Sequence, residues 1–73
     1  MNFRQAIVNK NREYCEQQLG KATVEEILQL MVTLKEKDVN DAEIERTLLK
    51  RYGAQNKVVL RKVEELFYCT QSS

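Results

Sequence analysis

The chain has 73 residues, 42% of them hydrophobic and 32% charged, with a net charge of +1. That length allows one small core with much of its surface still wet, and the apolar content is too high for compositional disorder. A net charge so near zero argues against strong non-specific nucleic-acid binding, and no long uncharged apolar run suggests a membrane span.

The chain opens "MNFRQAIVNKNREYC", which lacks the pattern of a secretory leader, so a cytoplasmic location is the default expectation. Cys15 and Cys69 are the only cysteines and histidine is absent, so Cys and His cannot furnish a four-ligand zinc site. In a reducing compartment the two thiols are expected to act as small hydrophobes. Neither metal nor cofactor is expected.

With no proline and only Gly20 and Gly53 as strong breakers, an all-α bundle of three to four short helices in one domain is predicted over residues 1–73. The first helix is placed at about 3–18, with Asn2 as N-cap and Gly20 just past its end. Phe3, Ile7 and Tyr14 share one side, and Val8, Cys15 and Leu19 form a second incomplete stripe. An extended start over residues 3–8 is the alternative. Two partial stripes need more cover than one small core supplies, so Phe3, Ile7 and Tyr14 are the candidate interface of a homodimer.

The second helix is predicted over 24–36. "TVEE" at 23–26 reads as a capping box, followed by Val24, Ile27, Leu28, Met31 and Leu34 at helical spacing. The third, over 41–52, has the strongest start signal: Asn40 as N-cap, Glu43 three residues on, and Val39 placed to staple against Ile44. Ile44, Leu48, Leu49 and Tyr52 form its core side until Gly53 stops it in the left-handed conformation. After the turn "GAQN", a fourth helix over 56–68 buries Val59, Leu60, Val63, Leu66 and Phe67. The tail from residue 70 to 73 is expected to fray.

Charge is divided along the chain. Residues 22–45 hold seven acids and two bases, whereas residues 46–63 hold Arg46, Lys50, Arg51, Lys57, Arg61, Lys62 and no acid. The basic run straddles Gly53 in "KRYGAQNKVVLRK". The segment "EIERTLLKRYGAQNKVVLRKVEELF", residues 43–67, resembles a helix-turn-helix motif in its apolar positions, its glycine and its polar-basic second helix. In that motif the second helix enters the major groove of duplex DNA. The resemblance implies a helix-turn-helix-like corner at residues 41–68. Asn56, Lys57 and Arg61 would then meet bases or nearby phosphates, Arg46, Lys50 and Arg51 the backbone, and Gln55 a phosphate from the turn.

A second reading fits the same residues. Arg61 and Glu64, spaced i, i+3, pair on a solvated face, and Arg46 and Lys50 face the chain's own acidic helix. The chain is then a helical protein-interaction module, a small inhibitor or adaptor acting through its helix faces. A ubiquitin-associated module has about this length from Val39 to Phe67, but its Met-Gly-Phe-like loop is missing where this chain reads "LKEKDVN".

Catalysis is not expected. The histidine and the phosphate-cradling glycine loop are absent, and the adjacent pairs Glu25/Glu26 and Glu64/Glu65 diverge by about 100° on a helix. A chain of this size also has little room to surround a small-molecule substrate. Both readings, duplex DNA or a protein as partner, describe a non-enzymatic binding protein.

Overall fold

The computed structural model describes residues 3–71, of which 70 and 71 are described as backbone only. It is all-α: α1 (Phe3–Leu19), α2 (Lys21–Glu36), α3 (Asp41–Tyr52), a 3-10 turn (Ala54–Asn56) and α4 (Lys57–Gln71). Asn2, expected as the first N-cap, lies outside the described residues.

α1 is helical from Phe3 onward, so the extended alternative for residues 3–8 does not hold. Its polar positions pair within the helix, with Gln5 donating to Asn9 at 3.1 Å and Arg12 to Glu16 at 3.2 Å. The helix ends where the Gly20 N–H donates to the Glu16 carbonyl at 2.8 Å.

Gly20 also begins α2, since its carbonyl accepts from the Val24 N–H at 3.1 Å. This corrects the expected start at residue 24. Thr23 is the third residue of the helix rather than its cap, and no side chain caps α2. The reason is backbone freedom: Gly20 takes φ 90° and ψ 147°, a region almost closed to other residues, and turns the chain between helices within one residue. Lys21 and Ala22, both good helix formers, then join the first turn.

α2 closes in a Schellman arrangement. The Asp38 N–H donates to the Lys35 carbonyl at 3.0 Å and the Val39 N–H to that of Leu34 at 3.1 Å, with Asp38 at φ 59° in the position glycine usually fills. α3 begins as predicted: the Asn40 side chain accepts from the Glu43 N–H at 2.9 Å. The Glu43 carboxylate turns outward to Arg46 at 3.0 Å instead of completing a capping box.

Among the described residues eleven buried side chains make the core: Cys15 from α1, Val24, Ile27 and Met31 from α2, Ile44 and Leu48 from α3, and Val59, Leu60, Val63, Leu66 and Phe67 from α4. Leu28, Leu34, Val39, Leu49 and Tyr52 pack partly buried around them. α4 supplies the largest share because it is the central helix and touches all three others. It runs antiparallel to α1: Cys15 lies beside the start of α4, its Sγ 3.9 Å from the Val59 carbonyl, while Arg12 shares a surface cavity with Leu66 and Phe67. The backbone of residues 70 and 71 continues α4 where fraying was expected; residues 72–73 lie outside the description.

One exposed acid joins three helices at their ends. Asp41, at the start of α3, accepts from Lys35 of α2 and from the Tyr68 hydroxyl of α4, each at 2.6 Å. The Lys35 bond first, and the Tyr68 bond second, hold the Asp41 carboxyl below its ordinary range. Burial, with the bond to Asp41, pushes the Tyr68 hydroxyl up to about 12.

Candidate functional site: the basic corner and the outer face of α1

The corner between α3 and α4 is locked by its own backbone. The Gly53 N–H donates to the Leu49 carbonyl at 2.8 Å and the Asn56 N–H to the Gly53 carbonyl at 3.0 Å. Gly53 has positive φ as expected, but its φ 96° and ψ 141° are not the left-handed helical geometry anticipated. It repeats the conformation of Gly20, and both glycines serve as one-residue joints.

This geometry divides the seven residues proposed to meet nucleic acid. Asn56 is turned inward, where its side-chain amide donates to the Tyr52 carbonyl at 2.6 Å and clasps the end of α3. The Arg46 guanidinium is held by Glu43 at 3.0 Å. Arg61 meets Glu45 across the α3–α4 interface at 3.5 Å, not the Glu64 expected from spacing. Gln55 is exposed beside Gly53, and Arg51 lies over the Tyr52 ring, 5.9 Å from its centre.

Lys50 and Lys57 are exposed and make no ion pair among the described residues, so with Arg51 they are the corner's uncompensated cations there. Lys62, sixth of the basic run, leaves the corner altogether and lies over the Tyr14 ring of α1 at 5.6 Å. Tyr52 anchors this end of α3, donating its hydroxyl to Glu26 of α2. Burial, then that bond, raises the Tyr52 hydroxyl above its ordinary value.

The central position of α4 limits what it can offer to a groove. Its exposed positions are Lys57, Val58, Arg61 and Glu65, with Glu64 half-buried beside them. This strip is basic at the start of the helix and acidic further along.

α1 has two faces of different fate. Cys15 is buried, with Val8 and Leu19 packed against the core around it. Burial pushes the Cys15 thiol up, and both cysteines are free. Phe3, Ile7 and Tyr14, about 120° around the helix, are 82%, 46% and 37% exposed. They include three of the four large apolar side chains left exposed among the described residues; the fourth is Val58 at 66%. Val58 precedes Lys62 by one helical turn, and the Lys62 ammonium lies over the Tyr14 ring. Lys10 completes the α1 stripe. Sequence reasoning passed over it, although the spacing 3, 7, 10, 14 was its signal.

A cavity of about 320 Å³ opens among α1, α2 and α4, at the small end of the range for ligand sites. Leu28, Val32, Leu66 and Phe67 line its apolar side, and at its rim Arg12 already pairs with Glu16 at 3.2 Å and lies 3.8 Å from Glu25. No three Cys, Asp or Glu side chains gather as metal ligands among the described residues, and no described helix is long and apolar enough to cross a membrane. Comparison with protein families, with curated proteins and with solved structures finds no match for this chain.

Proposed function

We propose that the chain is a small non-enzymatic binding protein that docks a protein partner on the outer face of α1. One observation carries this reading: Phe3, Ile7 and Tyr14 stand exposed on a helix whose other stripe already serves the core. Covering a side chain such as Phe3 or Ile7 is worth about 2 kcal/mol, so a water-facing stripe of this kind is a reservoir of binding energy. A cytoplasmic site of action suits the two free thiols.

A photo-crosslinking residue at position 3, in cells that express the chain, tests the reading. It should give a discrete adduct that Ile7→Ser abolishes, while the same group at exposed Lys37 gives none. Equal labelling from both positions, or an adduct indifferent to Ile7→Ser, refutes it.

Docking on duplex DNA through the basic corner is the second reading, favoured by Lys50, Arg51 and Lys57 standing together without acidic partners. A homodimer would present two such corners to successive turns of the duplex. Three phosphate contacts predict a log–log salt slope of about −2.7 per chain, which a mobility-shift titration at two salt concentrations measures. The Lys50→Ala/Lys57→Ala variant should lose most of that slope. No shift at low salt removes this reading.

A further inference from the structure

We infer that the cavity among α1, α2 and α4 is a binding site for a small apolar amine, with its hydrocarbon body on the apolar wall and its ammonium on the Glu25 carboxylate. The site is separate from the outer face of α1. Arg12, which α1 contributes to the cavity, lies about 160° around the helix from Tyr14. The two surfaces can therefore be occupied, or lost, independently.

The apolar wall exceeds what the core needs. Leu66 and Phe67 are core residues, whereas Leu28 and Val32, one turn apart on α2, are only partly buried. Val32 lies beyond the stripe of Val24, Ile27 and Met31 that fills the bundle interior, so α2 is apolar over a wider arc than the interior uses. That extra arc lines the cavity. Its volume of about 320 Å³ is roughly twice that of a cavity that holds benzene, so a body of about ten non-hydrogen atoms fits. The cleft is open on one side, and it grips such a body without enclosing it, which leaves the head group at the rim.

Charge at the rim selects that head group. Arg12 Nε donates to Glu16 Oε2 at 3.2 Å, while Arg12 Nη2 lies 3.8 Å from Glu25 Oε1, beyond hydrogen-bond length. One guanidinium thus faces two carboxylates, and the rim carries an excess negative charge. Glu25 is mostly exposed and makes no closer polar contact among the described residues, so its oxygens can accept from a ligand. An ammonium brings three donors and balances the charge, whereas a carboxylate would be a third acid beside Glu16 and Glu25. Because this pair is bathed in solvent, the head group adds about a threefold preference and the apolar wall supplies most of the affinity. A ligand of this size on one open wall should bind at about 1 mM.

A methyl-resolved NMR titration of the full chain with phenethylammonium, up to about 10 mM at low salt, tests the inference. The methyl signals of Leu28, Val32 and Leu66 should shift and saturate, while those of Ile7 and Val58 stay in place. Phenethyl alcohol, the uncharged analogue, should bind about threefold more weakly, and phenylacetate more weakly still. Glu25→Gln, at an exposed position, should erase the advantage of the ammonium and leave the affinity for phenethyl alcohol unchanged. No saturating shift at Leu28, Val32 and Leu66, or shifts that spread equally to Ile7 and Val58, overturns the cavity as a site. Phenylacetate binding as tightly as phenethylammonium, or an ammonium advantage that survives Glu25→Gln, overturns the assignment of an amine to it.

Discussion

Glu64 is the acid this fold accommodates worst, and replacing it by glutamine should stabilise the protein near neutral pH. It lies on α4, its Oε2 shielded from solvent without a hydrogen-bond partner. Burial first, then repulsion from Glu45, raises its carboxyl from 4.5 to about 6; Asp41 and Glu65 add to the rise and Arg61 opposes it. Between those two values the folded chain holds a proton that the unfolded chain releases, so stability falls as pH rises through this window. Above about 6 the whole penalty is present.

Converted in full, the rise corresponds to about 2 kcal/mol. Because Glu64 is only half-buried, solvent screening reduces the expected cost to about 1 kcal/mol. Glu64→Gln should therefore raise the melting midpoint at about pH 7 by roughly 4–8 °C and flatten the pH dependence between 4.5 and about 6. Asp41 does not confuse the measurement. Its carboxyl is held below the ordinary 3.8, so what it contributes is lost only as pH falls beneath that value. Thermal melts of both proteins across the window decide the matter. An unchanged fall in stability for Glu64→Gln, or no gain near neutral pH, refutes the assigned burial and repulsion.

Asp38→Gly should stabilise by about 0.5–1 kcal/mol, because glycine takes the left-handed position at the end of α2 without Cβ strain; urea titration measures the gain. Asn40→Ala removes the acceptor of the Glu43 N–H and should cost about 1 kcal/mol in the same titration. Gly20→Ala and Gly53→Ala should each cost about 1–3 kcal/mol, and by similar amounts, since the two glycines share one backbone geometry. The added methyl meets open space at Gly20, and at Gly53 it first meets the movable end of the Gln55 side chain. A far larger loss at Gly53 would show that Gln55 cannot yield.

Local chemistry determined much of this protein. The buried positions of α2, α3 and α4 follow from apolar residues at helical spacing, and α3 starts at Asn40 because the cap and its N–H partner lie within one turn. The exposure of Phe3, Ile7 and Tyr14 was legible too, since α1 carries two stripes and a small core needs only one.

Tertiary packing decided what local rules leave open. Thr23 has the neighbours of a cap, yet α2 begins at Lys21 because Gly20 can turn the chain in a single residue. Arg61 has Glu64 within reach along its own helix, but pairs with Glu45 because α3 lies alongside α4. Lys35, Asp41 and Tyr68 come from three helices, and no periodicity within one helix reveals their meeting. The basic run is continuous in sequence, but packing sends Lys62 to Tyr14 and Arg61 to Glu45, while Arg46 pairs with Glu43 of its own helix and Lys50, Arg51 and Lys57 stay at the corner. Helical periodicity fixes which residues share a face; which charges that face meets depends on the neighbouring helix, and only the fold places it.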